Sequence, residues 1–252
     1  MDCNKSKKRL ENHGYSLVEL LVTMAITGIV MAAVYSANNA QQKSYIAQEQ
    51  VTTMQQNVRS AMYYMEREIR MAGCHPTQKK NVSPGIRIAG PNIISFTLDI
   101  DNNAGSGTPD GDTNDANENI TFALQDNDGD GDLDFLRNTN TLADHDGDGI
   151  IDPLWGAQLS AENIDALDFV YYNGNSPPGI LNDDGNGNVT TNINQIKSVE
   201  ITIIARVGRG DRGYLDNNIY TNQQGRVMLD LSANPDNLRR RVLSTVINCR
   251  NL

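Results

Sequence analysis

Two stretches of the chain space their carboxylates as a hard cation requires. DNDGDGDLD (126–134) and DHDGDGIID (144–152) both follow D-x-D-x-D-G-x-x-D, and they start eighteen residues apart. Side chains at positions 1, 3 and 5 can converge, the glycine at position 6 permits a sharp turn, position 7 supplies a carbonyl and position 9 a further oxygen. The expected ligands are Asp126, Asp128, Asp130, Asp132 through its carbonyl, and Asp134 in the first loop. In the second they are Asp144, Asp146, Asp148, Ile150 through its carbonyl, and Asp152. Six to eight oxygens in a flexible loop suit calcium better than the strict octahedron of magnesium. NDDGNGNVT (182–190) is a degenerate third copy and DGDTNDANE (110–118) lacks the glycine, so both read as solvated Asn/Asp turns.

Position 12 of each loop holds Arg137 or Trp155 in place of a bidentate glutamate, so isolated loops are expected without the flanking helices of an EF-hand. The charge count gives the same region its motive. From Asp99 to Asp152 there are fourteen Asp and one Glu against a single base, Arg137. Such a block repels itself unless cations bind. The whole chain carries a net charge of −10, which argues against nucleic-acid binding. The three histidines, at 13, 75 and 145, do not form a nucleophile–base pair or a zinc set, and no phosphate-binding glycine loop is present. Catalysis is not expected.

A different carboxylate poses a harder question. GYSLVELLVTMAITGIVMAAVY (14–35) is long enough to span a bilayer, yet Glu19 stands near its start. A charge in hydrocarbon costs about 2.5–3.5 kcal/mol or more and is kept where it has a partner or a task. The preceding residues carry Lys5, Lys7, Lys8 and Arg9 against Asp2 and Glu11, which keeps the N-terminus cytoplasmic and places the rest of the chain outside. Of the three cysteines, Cys3 lies in the basic leader, while Cys74 and Cys249 lie in the exported part. In an oxidising compartment a Cys74–Cys249 bond is the economical reading, and two buried free thiols are the alternative.

These groups need elements to position them. From Ser36 to Ala72 there is no Pro or Gly, and Val51, Met54, Val58, Met62, Met65, Ile69 and Ala72 recur at spacings of three and four. That pattern predicts a helix with one apolar stripe facing a core, stopped by Gly73 and Pro76. After Pro76 short alternating runs predict strands at 93–98, 119–124, 164–172, 197–207, 225–231 and 240–247. In the fourth, Val199, Ile201, Ile203, Ala205 and Val207 alternate with Glu200, Thr202 and Arg206, as a half-buried strand requires. The expectation is an α+β fold, a long N-terminal helix packed on an antiparallel β-sheet, with Asn/Asp/Gly tracts as surface loops.

A short basic leader ending in Gly14, then Tyr15, then Glu19 and an unbroken apolar helix resemble the class III signal of type IV pilins and pseudopilins. VTTMQQNVRSAMYYMEREIRMAGC (51–74) resembles the helix end of PilW-like minor pilins, and RRRVLSTVINCRNL (239–252) their last strand. The resemblance implies that a prepilin peptidase cuts between Gly14 and Tyr15 and N-methylates Tyr15. The apolar run then stays as an anchor, and Glu19 pairs with the new amine of a neighbouring subunit. It implies four segments: a leader (1–14), a membrane and filament-core helix (15–35), an amphipathic helix (36–75) and a β-rich domain (76–252).

By that resemblance the chain is a minor pilin. It would leave the inner membrane, its domain in the periplasm, for an extracellular filament. There it joins other minor and major pilins near the tip, served by the peptidase and the inner-membrane assembly platform, and contacts a tip adhesin. Two rivals stand beside this reading. One is the equivalent minor pseudopilin of a type II secretion system, resembling GspJ; the other is a membrane-anchored calcium-binding adhesin or hydrolase that does not polymerise. An ordinary secretory signal removing 15–35 is disfavoured, because Val34-Tyr35-Ser36 is a poor cleavage site.

Overall fold

The computed structural model describes residues 15–79, 82–102, 107–115, 117–126, 129, 133–139, 153–154, 156–182 and 184–252. The chain divides into two units after Gln48. Helix α1 (Leu17–Ile69) gives its first part to one unit and its last turns to the other.

In the second unit α1 presents the expected stripe. Met54, Val58, Met62, Met65 and Ile69 are buried, as is Ala61 between them, and Val51 packs at the edge. The helix stops where the sequence stops favouring it. Gly73 takes φ +78°, its N–H donates to the Thr97 carbonyl at 3.0 Å, and a Cβ there would lie 2.6 Å from the Leu252 side chain and 3.0 Å from the Asn251 carbonyl oxygen. Only glycine fits both constraints.

The stripe shares one hydrophobic cluster with residues of two antiparallel sheets. The first is a meander of β1 (Ile86–Ala89), β2 (Ile93–Thr97), β3 (Asn119–Gln125), β4 (Asp134–Asn138) and β5 (Gln158–Ala161), in that order. Phe96, Phe122 and Phe135 are fully buried in it, the last two stacked at 5.4 Å. Further along the chain come β6 (Ile164–Asn173), β7 (Ile180–Leu181), β8 (Ile196–Arg206), β9 (Ile219–Thr221), β10 (Val227–Asp230) and β11 (Arg240–Asn248). The second sheet has the order β11-β8-β6-β7, and β9 pairs with β10 separately. Strand β6 joins the sheets: the Phe169 N–H donates to the Pro91 carbonyl at 2.7 Å and the Tyr171 hydroxyl to the Gly90 carbonyl at 2.8 Å.

All six expected strands form, within a few residues of their predicted ends. One expectation is overturned. Strand β8 is buried on both faces, not one: Glu200, Thr202 and Arg206 are 3 %, 1 % and 8 % exposed. Its polar face is covered and partnered. The Tyr172 hydroxyl and the Gln224 amide reach Glu200 at 2.7 and 3.0 Å, Thr202 meets Ser244 at 3.0 Å, and Arg206 meets Asp165 at 3.0 Å. A second cluster closes the same end of the sheet, where Arg240, 4 % exposed at its side chain, contacts Asp165, Asp216 and Asp236 at 2.5, 3.0 and 2.5 Å. Burial acts to raise the Asp216 pKa, but bonds from Tyr220, Arg240 and Asn218 outweigh it and hold the carboxyl below its usual range.

Because Met65 is fully buried in the shared cluster while its neighbour Tyr63 is 62 % exposed, the two should respond differently to truncation. Met65→Ala is expected to lower unfolding free energy by about 2–5 kcal/mol. Tyr63→Ala should change it by about 0.5 kcal/mol or less. Equilibrium denaturant titration of the two variants checks the difference.

Candidate functional site

At the N-terminal end, Ser16 starts the helix: the Val18 N–H lies 3.4 Å from Ser16 Oγ, and the Leu20 N–H donates to the Ser16 carbonyl at 3.1 Å. Glu19 is therefore the third helical residue, in the first turn, where a carboxylate opposes the partial positive charge of unpaired N–H groups. Tyr15, Leu17, Val18, Leu20, Leu21, Ile26, Ile29 and Val34 are all exposed. An 18-residue window of this helix has a mean hydropathy of 2.3 and no buried residue, so by length and composition it can cross a membrane. Gly14, the expected cleavage residue, lies outside the described residues.

The expected calcium loops are only partly within view. Asp128, Asp130 and Asp132, and the whole second set of Asp144, Asp146, Asp148, Ile150 and Asp152, lie outside the described residues. In the first loop Asp126 Oδ1 accepts the Gly129 N–H at 2.7 Å, with Gly129 at φ +78°. Asp134 is the first residue of β4, opposite Gln125 and 5 % exposed. Arg137, the one base of the acidic block, is turned to the helix and holds Glu68 of α1 at 2.8 Å. The degenerate copy at 182–190 is a turn: Asp184 Oδ1 accepts the N–H groups of Asn186 and Asn188 at 2.8 and 3.0 Å.

The stretch 110–118 is less solvated than expected. Glu118 is fully buried and Asp115 is 8 % exposed. Glu118 Oε1 accepts the N–H groups of Ile100 and Asp101 at 2.8 and 2.9 Å, fixing both ends of the 101–118 excursion. The loop is tied to the helix end through Asp99, also fully buried. Asp99 Oδ1 accepts the Gly111 N–H at 3.2 Å, Oδ2 accepts the Thr77 hydroxyl at 2.6 Å, and His75 Nδ1 lies 3.0 Å from Oδ2. Burial works to raise the Asp99 pKa, but the bonds from Thr77, Gly111 and His75 prevail and lower it. His75 is thus a brace just past the helix end.

Cys74 and Cys249 are both free thiols in the structure, so the expected bond is not formed there. They share a region: Cys249 belongs to the hydrophobic cluster on which Cys74 packs, and the Asn251 amide lies 3.5 Å from the Met71 carbonyl. Burial pushes both thiols up, Cys249 to about 11, and Asp99 adds to the rise at Cys74. Neither is a ready nucleophile as a thiol. Beside them an open groove of about 890 Å³ is lined by Tyr63, Arg67, Arg70, Met71, Leu98 and Arg250 among others.

Residues 9–35 match the family described as the prokaryotic N-terminal methylation motif. No curated protein sequence matches the chain. Among solved structures, a type IV-like pilin, TTHA1219 from Thermus thermophilus, is similar at a TM-score of 0.41 and 12 % identity, over 78 % of this chain and 97 % of that one.

The lowered pKa of Asp99 has a defined sign in stability. Its contribution is present above the ordinary aspartate value of about 3.9 and is lost as pH falls through the depressed folded value. Asp99→Ala should cost about 1–3 kcal/mol near pH 7, because it strands the Gly111 N–H and the Thr77 hydroxyl. The gap between variant and parent should narrow below about pH 4. Denaturation midpoints measured from pH 7 to pH 2 check both statements.

Proposed function

We propose that this chain is a minor pilin of the PilW type, a membrane-anchored subunit built to be cut before Tyr15 and copolymerised into a type IV filament near its tip. The observation that carries this reading is the methylation motif at 9–35 set on a helix whose apolar part is wholly exposed and whose first turn holds Glu19. Cleavage at Gly14 would leave the apolar helix as an anchor and create an amine at the lipid boundary. Glu19 of an incoming subunit would pair with that amine on its neighbour. In a low dielectric an ion pair of this kind is strongly attractive and discriminates against subunits out of register. Its partners would be other minor and major pilins, the prepilin peptidase, the assembly platform and a tip adhesin.

Two accessory features complete the proposal. The loops at 126–134 and 144–152 bind calcium, supported by their spacing and by the excess of fourteen Asp and one Glu over a single base, Arg137, between Asp99 and Asp152. Cys74 and Cys249 form a disulfide after export, stapling the helix end to the last strand, supported by their packing on one cluster. Closing a loop of that length would contribute about 5 kcal/mol on the chain-entropy view. Intact mass of protein from the cell envelope, with and without reductant and alkylation, should show two thiols only after reduction. Two thiols alkylated in the unreduced folded protein would refute the staple.

Glu19→Ala should leave processing and membrane anchoring intact and lower incorporation into sheared filaments tenfold or more. Gly14→Val should block cleavage. Mass spectrometry of the filament fraction reads both, because the mature chain begins with N-methylated Tyr15. Normal incorporation of Glu19→Ala would sink the amine pairing and leave Glu19 as a helix-end carboxylate. A pellet free of this chain, with secretion lost on deletion, would favour the type II pseudopilin reading.

A further inference from the structure

Separate from the two D-x-D-x-D-G loops, the 107–118 excursion gathers acids that sequence spacing alone assigned to solvent. Carboxylate oxygens of Asp110, Asp112 and Asp115 all lie within 4.8 Å of one another. Crowding alone would not define a site, since exposed acids are often adjacent. Asp115 supplies the independent observation: the residue is 8 % exposed, and its Oδ2 is buried without a hydrogen-bond partner. A buried carboxylate oxygen left unpaired costs several kcal/mol unless something positive meets it.

Hydrogen bonds hold the three carboxylates in place, and among the described residues no salt bridge meets them. Glu118 Oε2 accepts the Asp115 N–H at 3.3 Å, and the Asn119 amide donates to the Thr113 carbonyl at 2.5 Å. Asp110 Oδ1 and Asp112 Oδ1 accept the N–H groups of Asp112 and Asn114 at 3.1 and 2.9 Å, which leaves each a second oxygen. Lys79 donates its ammonium to the Asp110 carbonyl, and its chain lies so close to Gly111, at φ +86°, that a Cβ there would be 2.3 Å from Lys79 Cδ. Burial, then the charges of Asp110, Asp112, Glu118 and Asp101, push the Asp115 pKa up.

We propose that Asp110, Asp112 and Asp115 form a third calcium site, braced by Glu118 and by Asp99 at Gly111. Oxygens within 4.8 Å of one another can share an ion bonded at about 2.3–2.6 Å, and the six to eight irregularly placed oxygens of calcium suit a loop better than the strict octahedron of magnesium. The ion would satisfy Asp115 Oδ2 and relieve the repulsion among the acids. It would also tie the excursion to the Asp99 brace at the end of α1, so that calcium stiffens the junction between helix and first sheet. The site stands apart from the pilin reading and from the other two loops.

The test uses the full chain in detergent, carrying Asp128→Ala and Asp146→Ala to disable the two sequence-motif loops, with calcium as the titrant. Calorimetry should show one equivalent bound, and magnesium at the same concentration should not replace it. Asp112→Asn, which keeps the Oδ1 acceptor for Asn114, should weaken binding tenfold or more. Asp115→Asn should abolish the calcium-dependent rise in melting temperature, and in chelator it should melt no lower than its parent, because a repelling charge is gone. Three outcomes would overturn the site: no calcium binding in the two-loop variant, unchanged affinity in Asp112→Asn, or an equal fall in melting temperature with and without calcium in Asp115→Asn. Loss of binding in the unaltered chain on disabling the two loops, with nothing remaining, would assign calcium to those loops alone.

Discussion

Excess negative charge is the constraint under which the second unit is assembled. With 28 acidic residues against 16 basic ones from Glu49 onward, any carboxylate taken from water must find a counter-charge or several N–H donors. Buried arginines are rationed accordingly. Arg240 alone gathers Asp165, Asp216 and Asp236, joining the starts of β6 and β11 to the 211–236 segment. Where no arginine reaches, backbone amides substitute: Asp99 and Glu118 are fully buried on donors from Gly111, Ile100 and Asp101. Each solution fixes a loop to a strand, so neutralising charge and determining loop geometry are one act.

Apolar burial supplies the driving force that those polar ties then direct. The last turns of α1 share a single cluster with the phenylalanines of the first sheet and the isoleucines of β8. Tyr171, fully buried, is the hinge between sheets, with its hydroxyl on the Gly90 carbonyl and its ring beside Phe169. The same strand carries Asp168, 2 % exposed, which meets the Asn222 amide at 2.7 Å and the guanidinium of Arg226. Strand β6 thus meets the first sheet through Phe169 and Tyr171 and the β9–β10 hairpin through Asp168.

The helix stripe was legible in the sequence because a 3.6-residue period over six turns has few competing explanations; Ala61, beside Met62 on the same face, was not among the residues read into it. The longer strands were legible from alternation. Strands β1, β4, β5, β7 and β9 were not, and the reasons differ. β7 and β9 are two and three residues long. β4 reads DFLRN, an acid, a base and an amide around two apolar residues, and takes its strand form from pairing with β3. The double burial of β8 was hidden because Glu200, Thr202 and Arg206 look solvent-facing until Tyr172, Ser244 and Asp165 stand opposite. The apolar run with Glu19 was plain from composition. The grouping of Asp110, Asp112 and Asp115 was not, since D-x-D-x-x-D fits no common loop and spacing does not reveal that Asp115 is buried.

The pairing of β11 with β8, and the approach of Asn251 to Met71 across 180 residues, carry a temporal consequence. During synthesis the stripe of α1 emerges early, but part of the cluster that covers it, Ile247 and Cys249 included, emerges last. Contacts of such sequence separation pay their loop-closure entropy before they return any energy, so the domain matures slowly and late. Until β11 arrives the central strand β8 has an open edge and the helix an uncovered face.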